Sequence, residues 1–134
     1  MACRITELVV EAADPGRLAA FWCEVLDYVE LDREDDGSIQ IGPATGFGGA
    51  HPTLVLSPNS APRTGPHRLH FDVNASDRDQ GAELERLLAL GAVRADVGQT
   101  GEEDWEVLAD PEGNVFCLLR ARVPRLALGP GPLT

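Results

Sequence analysis

The chain has 134 residues, 22 acidic residues against 11 basic ones, and a formal net charge of −11. One domain accounts for this length, and the acidic balance argues against a nucleic-acid-binding protein, because phosphate contacts need clustered positive charge. Every basic residue is arginine, so a Schiff-base lysine and a P-loop lysine are excluded.

The first half of the chain predicts a strand, a helix and three further strands. Residues 5–12 alternate as a strand does, and Asp14 followed by Pro15 is typical of a helix start. The helix carries one apolar stripe at helical spacing, formed by Leu18, Phe21, Trp22, Val25 and Leu26. This stripe assigns Trp22 to the core. Strand-like runs follow at 28–33, 38–42 and 53–57, and a glycine-rich loop covers residues 42–52.

The second half repeats this order after a proline-rich linker at residues 58–66. A strand is expected at 68–74, and Asp77 is expected to cap a helix that ends near Gly91. Three more strands are expected, with a tight turn at 110–114 between the last two. These strands cover residues 93–97, 104–109 and 115–121.

An internal repeat relates the two halves, since Asp14 aligns with Asp77 and Val10 with Val73 at an offset of 63 residues. The fold class is therefore predicted as α+β, built from two βαβββ modules whose sheets complete each other into a cup. The predicted single domain covers residues 1–122. It divides into a first module at 4–57, the linker at 58–66 and a second module at 67–122, and residues 123–134 are expected to form a C-terminal tail.

Three segments of the sequence resemble the vicinal oxygen chelate superfamily: the helix start at 14–26, the strand at 69–73 and the turn and strand at 110–117. This superfamily includes glyoxalase-like, bleomycin-resistance-like and extradiol-dioxygenase-like proteins, and the sequence is most similar to the glyoxalase-like domain branch. The resemblance implies a cupped, eight-stranded sheet, a small-molecule ligand and a homodimer. It is specific for the fold and weak for the chemistry, because one fold hosts many functions.

The resemblance also implies four side chains that could hold a divalent metal on the inner face of the cup. Carried over by position, these are Glu7, His70, Cys117 and Leu54. Glu7 is a hard oxygen ligand and His70 suits several transition metals, so zinc, nickel, iron or manganese are the candidate ions. Cys117 stands where the family normally has Glu, and Leu54 cannot coordinate, so the sequence favours a site without metal.

The candidate site residues each have a structural interpretation beside the functional one. Glu7 is either a rim carboxylate bonded to water or Arg, or a general base or ligand. His70, with Arg68 and Asp72 in the same strand phase, forms either a structural polar triad or an acid–base centre. Cys117 fits a small core residue better than a nucleophile. Trp105 either packs on the sheet or, with Phe47 from the glycine-rich loop, lines a ligand cavity.

Two main functions remain open. The first is a small-molecule enzyme of the lyase, isomerase or dioxygenase type, in which Glu7 and His70 transfer protons. The second is a metal-free binding protein of the bleomycin-resistance kind, for which an acidic cup would favour a cationic ligand; a regulatory domain without catalysis is a third. No apolar run is long enough for a membrane span. The three widely spaced cysteines, without a CxxC pair, and the lack of a leader-like segment lead us to expect a cytoplasmic protein.

Overall fold

The computed structural model describes residues 2–61, 65 and 68–125, and its internal contacts divide the chain into two units on either side of residue 62. We call them the first and second modules. The first consists of β1 (Glu7–Ala12), α1 (Pro15–Leu26), β2 (Val29–Arg33), β3 (Ile39–Gly42) and β4 (Thr53–Pro58). Its four strands form one sheet in the order β1-β4-β3-β2, in which only β1 and β4 are parallel.

Both ends of helix α1 are defined by local interactions of the backbone and of neighbouring side chains. The Asp14 carboxylate accepts a hydrogen bond from the Arg17 backbone N–H at 3.1 Å, and Pro15 follows at a position that needs no N–H donor. The helix ends at Asp27, which adopts a left-handed conformation with φ 57°. Trp22 is 1% exposed and meets Phe21 edge to face at 5.2 Å, which confirms Trp22 as a core residue.

The second module has the same order of elements: β5 (Phe71–Val73), α2 (Gln80–Leu90), β6 (Val93–Arg94), β7 (Glu106–Ala109) and β8 (Val115–Leu118). Its sheet has the order β5-β8-β7-β6, and again only the first pair, β5 and β8, is parallel. The predicted α+β class and the two βαβββ modules are therefore confirmed. Among the described residues, neither helix is long and apolar enough to cross a membrane.

The predicted cap of the second helix was wrong. Asp79, and not Asp77, accepts the hydrogen bond from the N3 position, the Ala82 backbone N–H, at 2.8 Å. Asp77 instead pairs with the neighbouring Arg78 side chain. Two Asp residues two positions apart satisfy the same sequence signal, and only the backbone geometry distinguishes them. The capping residues of the two helices, Asp14 and Asp79, are thus 65 residues apart. The predicted end of the second helix at Gly91, with φ 120°, is confirmed.

All four strands of the second module are shorter than predicted. Around β6 and β7 this is because side chains bind the backbone beyond the strand ends. Between β6 and β7 the chain turns at Gly98 and Gly101, both with positive φ, and it is bound there by Gln99 and Glu103. The turn at 110–114 forms as predicted. Asp110 is 3% exposed and accepts hydrogen bonds from the backbone of Glu112 and Asn114. Of the predicted tail at 123–134, residues 126–134 lie outside the described part of the chain.

Candidate functional site

The parallel strands β5 and β8 bring three chemically active side chains together in the second module. Asp72 lies in register with Cys117, so their side chains share one face of the sheet. His70, two residues before Asp72, contacts it with 3.2 Å between Nε2 and Oδ1. One donor atom from each of the three residues lies within 4.8 Å of the other two. We call His70, Asp72 and Cys117 the donor cluster.

The members of the donor cluster differ in their exposure to solvent. The side chains of His70 and Asp72 are 53% and 49% exposed, whereas Cys117 is 9% exposed. Burial, and secondarily the nearby Asp72 carboxylate, raises the pKa of the Cys117 thiol above its ordinary value. In the absence of a cation the thiol is therefore protonated at neutral pH, so Cys117 is not an activated nucleophile.

The donor cluster opens into a cleft of about 920 Å³, and the described residues that line it all belong to the second module. Its apolar walls are formed by Leu69, Val97, Trp105, Val107, Val115 and Leu119. Asp96 and Glu103 add two carboxylates to the lining. Trp105 is 45% exposed, so much of its ring faces solvent where a ligand could contact it. An apolar cavity with a few convergent polar groups is the usual form of a small-molecule site.

Glu103 fixes the loop that forms one wall of the cleft. Its two carboxylate oxygens accept hydrogen bonds from the backbone N–H groups of Thr100 and Gly101, at 2.7 Å and 2.8 Å. The bond from Thr100 is the main reason that the pKa of Glu103 is lowered. Gly98 and Gly101, both with positive φ, are the local signal in the sequence that this loop folds into a wall.

Glu7 belongs to the first module, and its carboxylate contacts a side-chain amide. The Gln40 Nε2 atom donates a hydrogen bond to its carboxylate at 3.3 Å. Glu7 is partly buried on β1 and lies in register with Thr53. Its role as a proton-transfer partner of His70 remains a prediction.

The assignment of Leu54 to the fourth family position was wrong, because it lies on the other face of the sheet from Glu7. Leu54 is in register with Leu8 and is buried with the core, at 3% exposure. Val55 lies next to Val9 and therefore shares the face of Glu7. The repeat offset of 63 residues, applied to Cys117, missed this face by one residue, and a shift of one residue turns a side chain to the opposite face of the sheet. Like Leu54, Val55 offers no metal ligand.

Two further predicted binding residues are not members of the donor cluster. Arg68 is exposed and is not among the described residues that line the cleft; it precedes β5, so strand alternation does not fix its direction. Phe47 belongs to the first module and is 57% exposed on the glycine-rich loop. The Arg4 guanidinium binds the carbonyl groups of Gly48 and Gly49 in this loop. Ligand contacts by Arg68 and Phe47 remain predictions.

Comparisons with known proteins agree on the family. A family model described as a glyoxalase-like domain matches residues 7–119. The curated proteins gave no match. Among solved structures, a mutant of the fosfomycin resistance protein FosX from Listeria monocytogenes, complexed with Mn(II) and 1S,2S-dihydroxypropylphosphonic acid, is 15% identical, with a TM-score of 0.66. The match covers 92% of this chain and 93% of that one.

A second similar structure is a glyoxalase/bleomycin resistance protein/dioxygenase family enzyme from Burkholderia phytofirmans, 16% identical, with a TM-score of 0.60. That match covers 87% of this chain and 97% of the other. At these identities the structural likeness shows the fold alone, and the family model supplies the membership. The chain belongs to the glyoxalase-like domain family, within the vicinal oxygen chelate superfamily that the sequence resembles.

Proposed function

We propose that this protein is a small-molecule enzyme of the glyoxalase-like kind and that its reaction takes place at His70 in the cleft of the second module. The observation that carries the proposal is the His70–Asp72 pair, 3.2 Å apart, in the lining of a cavity with apolar walls. A carboxylate that orients an imidazole ring is the usual arrangement of a histidine that transfers protons.

Within this proposal each residue has a separate role. His70 moves a proton to or from the substrate, and Asp72 is a positioning residue that orients its ring. Trp105 contacts the apolar part of the substrate in the cleft. Glu7 acts as the second proton-transfer group, with Phe47 and Arg68 as further ligand contacts. The reaction is of the lyase, isomerase or dioxygenase type, in a cytoplasmic homodimer.

The family also implies a divalent metal, and the FosX structure from Listeria monocytogenes contains Mn(II). The residues of this chain do not fit a manganese site at the four family positions. Manganese prefers oxygen ligands, but Cys117 offers sulfur, and neither Leu54 nor Val55 offers a ligand atom. We therefore assign no reaction step to a manganese ion.

A specific observation also favours binding without catalysis. The described residues that line the cleft include three carboxylates, from Asp72, Asp96 and Glu103, and no arginine. Apolar walls combined with this charge suit an organic cation with an aromatic or aliphatic body. The second candidate function is therefore metal-free binding of such a cation, as in a protein that sequesters an antibiotic.

One set of experiments separates the two functions. The protein is incubated with a hemithioacetal, a catechol and an epoxide, and the products are followed by mass spectrometry. We expect turnover of one class, reduced about 100-fold or more in His70→Ala and less in Asp72→Asn. His51→Ala, on an exposed loop residue of the first module, is the matched control and retains activity.

Turnover that survives His70→Ala would contradict the enzyme proposal as stated. Quenching of Trp105 fluorescence by an aromatic cation, without turnover of any substrate class, would support the binding function instead. The Trp22→Phe background removes the second tryptophan signal, since the chain has two tryptophans.

A further inference from the structure

We propose that Gln80 is a positioning residue that holds Trp105 in the wall of the cleft and thereby sets the affinity for a ligand. Gln80 is the first residue of α2 and is not among the described residues that line the cleft. Its side-chain amide donates hydrogen bonds to the backbone carbonyl groups of Asp104, at 2.8 Å, and Leu118, at 3.2 Å. This role rests on the proposed function in one respect only, the contact between Trp105 and the ligand.

The two carbonyl groups that Gln80 binds lie where the pairing of β7 and β8 ends. Leu118 is the last residue of β8 and is in register with Glu106, the first residue of β7. Asp104 lies two residues before β7, so the register of the two strands does not include it. A carbonyl group beyond the end of a strand pair needs another donor, and a glutamine amide offers two N–H groups. Gln80 therefore joins the chain that enters β7 to the end of β8.

Trp105 lies between two points at which its backbone is fixed. On one side, the Asp104 carbonyl group is bound by Gln80. On the other side, Glu106 begins β7, and its carboxylate pairs with the Arg94 guanidinium at 3.0 Å. Trp105 itself lies outside the residue pairs that β7 and β8 form, so the direction of its ring depends on these neighbours. Loss of the Gln80 hydrogen bonds would release the backbone on one side of the indole ring.

Neither helix capping nor a surface ion pair replaces the two Gln80 hydrogen bonds. Asp79 already caps α2 by accepting from the Ala82 backbone N–H, so the Gln80 amide is not needed to begin the helix. The Asp104 and Arg120 side chains also approach each other, at 3.6 Å, but they are 74% and 73% exposed. Ion pairs that are so exposed contribute little. The partly buried Gln80 amide is therefore the stronger contact of this segment.

A fixed Trp105 matters because a mobile wall has to be ordered when a ligand binds. Ordering a loose side chain or a short segment lowers the affinity, and a wall that is already ordered avoids this cost. Trp105 is 45% exposed, so a ligand in the cleft could contact its ring without displacing Gln80. We therefore expect Gln80 to act on ligand affinity and not on proton transfer at His70.

The test removes the amide and keeps a side chain of similar length. In Gln80→Met, which has no N–H donor, we expect the tryptophan emission to shift to longer wavelength and acrylamide to quench it more steeply. Acrylamide reports on Trp105, because Trp22 is 1% exposed. Gln80→Lys, which restores an N–H donor, should return both signals to the wild-type values. Glu85→Met, at an exposed position of the same helix, is the matched control and should leave both signals unchanged.

Gln80→Glu separates the positioning role from a role in the helix. A carboxylate in the first turn suits the helix dipole, but it offers no N–H to the two carbonyl groups. We therefore expect Gln80→Glu to keep the helical circular dichroism of the wild type and to show the emission shift of Gln80→Met. Unchanged emission and quenching in both variants would overturn the proposal, and so would a shift of equal size in Glu85→Met.

Enzyme kinetics connect this role to the proposed function. For the substrate class whose turnover depends on His70, Gln80→Met should raise KM about tenfold and leave kcat unchanged. Equal losses in kcat and kcat/KM would place the effect of Gln80 on the transition state alone and contradict the role. A protein without turnover still gives the fluorescence result, so failure of the proposed function and failure of the Gln80 role are distinguished.

Discussion

The two modules share a backbone plan but differ in what their sheets carry. Both sheets place the first and last strands of the module side by side and parallel. On this pair the second module has His70, Asp72 and Cys117 on one face, whereas the first has Glu7, Val9 and Val55. The comparison teaches that a repeated strand order fixes positions for side chains, and that few substitutions at those positions decide whether a site forms.

The helices differ in a similar way at matched positions. Four residues after the capping Asp, α1 has the buried Leu18, whereas α2 has the buried Glu83, which pairs with Arg86. Eight residues after the cap, the buried residues are Trp22 and Leu87. Helix α1 therefore buries more apolar surface than α2, and apolar burial is the main source of stability.

The largest expected effect tests this asymmetry in the core. Trp22→Ala should lower the free energy of unfolding by about 4 kcal/mol and Leu87→Ala by about 3 kcal/mol, because each leaves a cavity that the sheet cannot fill. Urea denaturation followed by circular dichroism measures both. The exposed Leu69→Ala is the control and should change little. A larger loss in Leu87→Ala than in Trp22→Ala would break the comparison.

The next largest effect compares the buried turn at residues 110–114 of the second module with an exposed turn of the first. Asp110→Ala should lower the free energy of unfolding by about 2–3 kcal/mol, since the buried carboxylate accepts several hydrogen bonds within residues 110–114. Asp36, in the exposed turn before β3, accepts one from the Ser38 N–H. Asp36→Ala is therefore expected to cost less, and thermal unfolding of the two variants compares them. Equal losses would mean that burial does not separate the two turns.

A smaller loss of stability is expected from removing a helix cap, and it tests whether Asp79 or Asp77 caps α2. Asp79→Ala and its first-module counterpart Asp14→Ala should each cost about 1 kcal/mol, because each removes the acceptor for a helix N–H. Asp77→Ala should leave the unfolding free energy unchanged within error, since the Asp77 side chain pairs with Arg78. If Asp77→Ala were the more costly change, the offset of 63 would hold for the helices as well.

The last prediction concerns the reactivity of the Cys23 thiol and involves no change in the free energy of unfolding. Burial, with added contributions from Glu30 and Glu24, raises the pKa of Cys23 to about 11. Relative to a thiol at its ordinary value of 9.0, this leaves about a hundredfold less thiolate at any pH well below both values. Iodoacetamide labelling at pH 8 should therefore modify the exposed Cys3 first. Rapid labelling of Cys23 would show that α1 opens more readily than its packing suggests.

Much of the fold could be predicted because its signals are local or periodic. Asp14 and Pro15 mark a helix start, the spacing of the apolar stripe places Trp22 in the core, and the residues at 110–114 specify a tight turn. Each of these depends on interactions within a few residues, so the sequence carries them without reference to distant segments. The repeat then followed from the order of such elements, and the family resemblance from the residues at 14–26, 69–73 and 110–117.

The candidate site was predictable only in part. His70 was named from the family resemblance, Asp72 from strand phase and Trp105 as an aromatic residue of a predicted strand, and the structure places all three in the lining of the cleft. The wall residues Asp96 and Glu103 were not, because their loop is shaped by side-chain bonds to its own backbone and by positive-φ glycines. Such side-chain to backbone hydrogen bonds compete with strand formation, and they produce no periodic pattern of apolar residues in the sequence.

The sequence by itself determined the order of the elements, the core stripe of α1 and the family. Tertiary structure alone decided that Val55 and not Leu54 shares a face with Glu7, and that Asp72 stands beside Cys117. The reason is physical: register is set by hydrogen bonds between strands far apart in the chain, and a slip of one residue turns every side chain to the opposite face.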